Sequence, residues 1–247
     1  MKSFKVFILI LLFYSFSLPE SFRDQQKKYE RVRAAYSEKE KGVKEMLRKK
    51  NINPDNFSML IRIFKQERKL ELWAKSFSDL QFQLIHTYDI CASSGMLGPK
   101  RKEGDGQVPE GFYYIEKFNP ASAFYLSLGI NYPNQSDRIL GVKKNLGGDI
   151  FIHGNCITIG CIPMTNDKIK EIYLLAVEAK SNGQNRIPVY IFPGIMNEEG
   201  MQLLTEKANG DNTLISFWKN LKQGYDLFEE KKLALAVKVD NMGEYIF

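Results

Sequence analysis

Histidine and cysteine are scarce in this chain of 247 residues, at two and three copies, and no two cysteines form a C-x-x-C pair. Zinc ribbons, zinc fingers and thioredoxin-type redox motifs are thereby excluded. Long apolar runs are lacking too: the stretch from Val6 to about Ser17 falls short of the roughly 20 residues a bilayer-spanning helix needs. Internal repeats and low-complexity tracts are missing, and a content of 44% hydrophobic and 13% aromatic residues excludes a disordered chain. One substantial core is expected, with room for a smaller appended part.

The body of the chain has no surplus charge of either sign, since residues 51–247 carry 22 Lys/Arg against 23 Asp/Glu. The basic excess sits in residues 23–50, with eleven against five. That stretch has little aromatic interleaving, so nucleic acid is not an expected partner. Its apolar positions, Tyr29, Val32, Tyr36, Val43 and Met46, recur at helical spacing and predict a basic helix over 22–50 with one thin stripe. Such a helix is laid on the domain or, alternatively, faces anionic lipid head groups beside a membrane. Ahead of it, Lys2 and Lys5 precede the apolar run, and Pro19 with small or polar residues follows. Residues 1–21 therefore read as a signal peptide cleaved between Pro19 and Phe22, with an uncleaved anchor as the alternative. No cysteine follows at once, so no lipid anchor is expected, and the protein is placed outside the cytoplasm, periplasmic or associated with the cell wall.

After a turn at NINPDNFS, the run FSMLIRIFKQERKLELWAK alternates on both sides of Lys65 to Glu67 and predicts a hairpin. A third strand is expected over about 80–92, then a loop with glycines at 95, 98, 104, 106 and 111. Strands follow at FYYIEKF, around Phe124 to Leu128 and at DIFIH, with an Asn/Pro/Ser-rich turn before the last. Thr165 or Asn166 caps a helix whose apolar face is Ile169, Ile172, Tyr173, Ala176 and Val177, and RIPVYIFP returns as a strand. Two helices from Met196, the second with a stripe of Phe217, Trp218, Leu221 and Tyr225, precede strands at LALAVKV and GEYIF. The expected fold is β-rich α+β: a catalytic domain over 51–195 and a small α/β C-terminal extension over 196–247.

Most of the scarce reactive side chains meet in one segment, IFIHGNCITIGCIPMT at residues 150–165, which holds His153, Cys156 and Cys161. A thiol becomes a nucleophile when an imidazole or a helix N-terminus favours its thiolate. His153 ends a strand eight residues before Cys161, so a tight loop is expected to fold the thiol back onto the ring, and the capped helix downstream adds a modest dipole. Gly160 leaves the backbone amides of Gly160 and Cys161 free to face a developing oxyanion, and Thr158 offers an orienting hydroxyl. Asp149 is four residues from His153, about 13 Å along a regular strand, too far to orient the ring. A backbone carbonyl or Thr158 is expected in that role, which makes a dyad. Cys156 is the weaker nucleophile, Cys91 reads as a core residue or as a disulfide partner of Cys156, and neither metal nor cofactor is expected.

The pattern I-H-G-x3-T-I-G-C resembles the active-site signature of the L,D-transpeptidase (YkuD-type) catalytic domain family. Carried over, His153 is the base, Thr158 and Gly160 the residues preceding the nucleophile, and Cys161 the nucleophile; VPEGFY, residues 108–113, is similar to a second family strand. The common pattern has a longer spacer, a histidine where Ile159 stands and an arginine where Pro163 stands; the arrangement here is similar to the YafK-like branch. The resemblance covers about residues 56–193. It implies an exported cysteine acyltransferase that attacks the L-centre carbonyl of meso-diaminopimelate in a peptidoglycan stem peptide. A thioester results, resolved by an amine as a cross-link or by water; a wall-linked lipoprotein is a further partner in the family. Arg138 is a candidate to hold a stem-peptide carboxylate, with a surface ion pair to Asp137 as the alternative, and Tyr125 and Tyr132 are candidates to line the cleft.

Two rival readings stand beside this one. A sortase-like enzyme would use His86, far upstream of its cysteine, whereas papain-like enzymes need a histidine after the cysteine and none follows Cys161. A wall-binding protein without catalysis would present residues 196–247 as its surface.

Overall fold

The computed structural model describes residues 20–247, so the expected signal peptide lies almost wholly outside the described residues. Two helices open the described chain, α1 (Phe22–Lys27) and α2 (Glu30–Arg48). The single helix expected over 22–50 is thus broken in two. On α2, Val32, Ala35, Tyr36, Val43 and Leu47 are buried, and Tyr29 is exposed rather than part of the stripe.

One sheet of eight strands organises the molecule. It comprises β1 (Phe57–Phe64), β2 (Lys69–Ser76), β3 (Gln83–Asp89), β4 (Gly111–Asn119), β5 (Ser127–Ile130), β6 (Phe151–His153), β7 (Ile162–Pro163) and β8 (Pro188–Phe192). Their order is β3-β2-β1-β8-β4-β5-β6-β7, with β1–β8 and β6–β7 parallel and the other pairs antiparallel. All eight residues of β1 are buried, because both faces of the sheet are covered. Met59, Ile61 and Ile63 join one core with α2 and with Ile172, Tyr173 and Leu175 of α4 (Asn166–Ser181). Leu60 and Phe64 point the other way, into a second core with Phe112, Tyr190 and Phe192.

The second core is closed by the C-terminal residues. Leu204 of α5 (Glu198–Lys207) and Trp218, Leu221 and Phe228 of α6 (Asn212–Lys231) supply its outer wall. The strands expected at LALAVKV and GEYIF shrink to β9 (Lys238–Val239) and β10 (Tyr245–Ile246), a separate two-stranded pair. Upstream of β9, the amide of Leu235 donates to Tyr190 Oη at 2.8 Å, so this segment takes a side-chain partner where a strand would need a ladder. The expected turn before β6 contains a short helix instead, α3 (Gln135–Leu140), started by a capping box in which Asn134 and Asp137 each bond the other's backbone amide.

The two ends of the sheet come together. Cys91, just past β3, donates its amide to the carbonyl of Pro163 on β7 at 3.1 Å, and its sulfur is bonded to Cys156. The disulfide closes a seam between the end of β3 and the loop that carries the reactive residues.

Candidate active site

β6 ends at His153, seven residues form a loop, and Cys161 leads into β7. The parallel register sets Ile152 beside Ile162 and His153 beside Pro163. Four ties fix this loop: the Cys91–Cys156 disulfide, Gly154 N–H to the Leu126 carbonyl (3.1 Å), Asn155 N–H to Asn166 Oδ1 (3.0 Å) and Met164 N–H to the His153 carbonyl (2.7 Å). A side chain at Gly154 would meet Asn166 Oδ1 at 2.6 Å and the Phe124 carbonyl at 2.9 Å, so only glycine fits. Gly160 has φ +95°, a conformation that L side chains rarely adopt.

Thr158 holds the backbone of Cys161 from both sides: its Oγ1 accepts the Cys161 amide at 2.9 Å and donates to the Cys161 carbonyl at 2.8 Å. Cys161 is the free thiol and is half-buried. Its sulfur accepts from the Phe151 amide at 3.4 Å and faces the Asp149 carbonyl at 3.6 Å. Burial raises the thiol's pKa, the Phe151 amide opposing and the Asp149 carboxylate adding to the rise. Burial is the largest of these influences and sets the direction.

His153 is 1% exposed and lies against the Phe124 ring with centroids 4.6 Å apart. Its Nδ1 is 2.5 Å from the Gly154 carbonyl, an acceptor, so Nδ1 carries the proton and Nε2 keeps its lone pair. Burial lowers the imidazole's pKa, the Gly154 carbonyl opposing. The ring is oriented by a backbone carbonyl, and Thr158 serves the cysteine instead. Among the described residues no hydrogen bond joins the imidazole to the Cys161 thiol; the thiol turns toward the start of β6. Both groups rest uncharged on adjacent strands. The expected oxyanion amides are also engaged, that of Cys161 with Thr158 and that of Gly160 with Ser94 Oγ at 2.7 Å.

Cys161 lines a cavity of about 420 Å³ under the glycine-rich loop, a volume in the roughly 300–1,000 Å³ range of ligand sites. Ile63, Ile90, Val108, Ile162 and Trp218 give it apolar walls, and Ser94, Arg68 and Lys207 add polar groups. Beneath the loop, Glu110 is fully buried and takes three donors: Lys65 Nζ (2.8 Å) and the Gly98 amide (2.7 Å) on one oxygen, Trp218 Nε1 (2.8 Å) on the other. This carboxylate ties the β1–β2 turn, the loop and α6 together.

The other predicted site residues lie elsewhere. Arg138 is exposed on α3 and does not line the cavity; Asp137 pairs with Arg101 instead. Tyr132 is buried, its hydroxyl on the Leu146 carbonyl at 3.1 Å. Tyr125 lines a different depression, with Arg31 and Asn166, and not the Cys161 cavity. His86 is exposed on β3 against Tyr88, outside the cavity. Sequence reasoning missed Ser94, Arg68, Lys207 and the Glu110–Lys65 pair. VPEGFY did contain Glu110, and an acid flanked by Pro and Gly at the start of an apolar strand was the available signal.

Comparison with known proteins gives the family of the chain. The chain is 39% identical over 188 residues to YafK of Escherichia coli strain K12, covering 75% of this chain and 72% of that one, and equally to YafK of the O157:H7 strain. Among solved structures it is similar to the helical cell shape determining protein Pgp2 of Campylobacter jejuni (19% identity, TM-score 0.45, 76% of this chain and 74% of that one). Bd1075 of Bdellovibrio bacteriovorus is another (22% identity, TM-score 0.40, 70% and 72%). The model of the L,D-transpeptidase catalytic domain matches residues 59–191, the span from β1 to β8, and the chain belongs to that family.

Proposed function

We propose that the protein is an exported cysteine acyltransferase that acts on meso-diaminopimelate-containing stem peptides of peptidoglycan and performs L,D-transpeptidation. The observation that carries this reading is the free Cys161 thiol in the wall of a ligand-sized cavity, one strand from a histidine whose Nε2 is unprotonated. Export is supported by the basic, apolar and Pro-containing N-terminal sequence and by the Cys91–Cys156 disulfide, a bond that persists in oxidising compartments.

Catalysis then begins with rotation of the thiol away from the Asp149 carbonyl. Nε2 of His153 takes the proton, sulfur attacks the peptide carbonyl, and the imidazolium returns the proton to the leaving amine. The thioester is resolved by an acceptor amine or by water. Because thiol and imidazole rest uncharged, deprotonation is coupled to substrate arrival, a geometry that tightens only in the complex.

The test is mass spectrometry of muropeptides, including protein-linked ones, after incubation with the mature protein and its Cys161→Ala variant. Dimers joined through two diaminopimelate residues, seen only with the intact cysteine, are expected. Cysteine-dependent loss of a residue or of a linked peptide without a new cross-link would make the protein a hydrolase that frees a stem-peptide end or a wall-linked lipoprotein. Equal products from both proteins would sink the acyl-transfer reading.

A further inference from the structure

Cavity walls near a nucleophile decide which peptide end lies there, and here their charge is one-sided. Lys65, Arg68 and Lys207 line the cavity with Cys161, and no aspartate or glutamate does. Lys65 is neutralised from below by Glu110. Arg68 and Lys207 are different: both are exposed, and neither has a carboxylate within ion-pair distance among the described residues. Arg68 is also held in place. Its amide donates to the Lys65 carbonyl at 3.3 Å and its carbonyl accepts from Ile90 at 2.8 Å, which fixes the β1–β2 turn at the cavity's edge. Lys207 closes the last turn of α5.

Two unpaired cations from separate elements, over an apolar floor, suit an anion attached to an apolar or peptide body. We propose that Arg68 and Lys207 are the specificity-determining residues of the site and bind a free carboxylate on the substrate, placing the neighbouring carbonyl at Cys161. The assignment rests on the acyl-transfer reading and deepens it. It moves the carboxylate-holding role from Arg138 on α3, which is outside the cavity, to the β1–β2 turn and α5. The guanidinium offers a two-pronged contact to a carboxylate, whereas the ammonium acts as a point charge, so Arg68 sets orientation and Lys207 adds attraction.

The experiment measures binding, so that it stands apart from turnover. In the full chain carrying Cys161→Ala, a diaminopimelate-containing stem tetrapeptide with free carboxylates is titrated beside the same peptide with its carboxylates amidated, by calorimetry. The free acid should bind about tenfold or more tighter than the amide, in the range of a charge-assisted contact. Arg68→Gln with Lys207→Gln should erase that preference while leaving affinity for the amide unchanged, and Arg68→Lys should restore part of it. Raising salt should weaken only the free acid. Equal affinity for both peptides, or a preference that survives the double substitution, overturns the assignment. The two readings separate cleanly: Cys161-dependent products with an unaltered preference in the double variant keep the acyl transfer and remove this role. Loss of the preference without Cys161-dependent products does the opposite.

Discussion

Cys161 and His153 show how burial sets chemistry at the residue scale. Desolvation raises the thiol's pKa and lowers the imidazole's, so the neutral pair occupies a wider span of pH than two free side chains would. Alkylation of Cys161 by iodoacetamide in the ligand-free protein should therefore be slower at pH 7 than that of an unperturbed cysteine peptide and keep rising beyond pH 8.5. A fast rate that is flat between pH 6 and 8 would instead reveal a preformed thiolate and overturn this account. The pair itself was legible in the sequence, because two histidines leave few choices and one of them sits eight residues from a cysteine flanked by glycine. The direction of the thiol was not legible. It depends on the Phe151 amide and the Asp149 carbonyl, backbone groups that look the same in any sequence. Arg138, Tyr132 and Tyr125 do not line the cavity for a related reason: a guanidinium or an aromatic ring suits a cleft by its chemistry, which says nothing about where on the sheet the residue lies.

Among the elements, the Glu110–Lys65 pair has a long reach, since it joins the β1–β2 turn, the glycine-rich loop and α6 away from water. Glu110→Ala leaves a lysine side chain that is 8% exposed with the Gly98 and Val108 carbonyls but without its counter-charge, and removing one partner of a buried pair costs about 3–5 kcal/mol. Urea unfolding of the variant should show that loss, and a change below 1 kcal/mol would mean that water already reaches the pair. Elements with strong periodicity were readable from the sequence: the β1–β2 hairpin turns at the expected residues, and α4 starts at the Thr165 cap with all five expected apolar residues buried. Short pieces were not. α3 is only six residues long and hides in a proline- and asparagine-rich stretch, and the LALAVKV alternation is consumed by packing against the second core, with a ladder only at Lys238 and Val239.

For the molecule as a whole, the reading of 196–247 as an extension meets a shared core, because α5 and α6 cover Leu60, Phe64, Phe112, Tyr190 and Phe192 of the sheet. A chain ending at residue 195 should lose its near-ultraviolet circular dichroism and bind hydrophobic dye; a truncated chain with native-like spectra and cooperative melting would show the sheet to be self-sufficient. The seam between Cys91 and Cys156 carries a different consequence. Three thiols can form one intramolecular disulfide in three ways, and only the pairing of Cys91 with Cys156 leaves Cys161 free. The other two isomers consume the proposed nucleophile itself. Oxidation of this chain is thus a sorting step as well as a stabilising one: every molecule that pairs wrongly carries its free thiol at Cys91 or Cys156 and none at Cys161, and thiol–disulfide exchange by that leftover thiol is the route back.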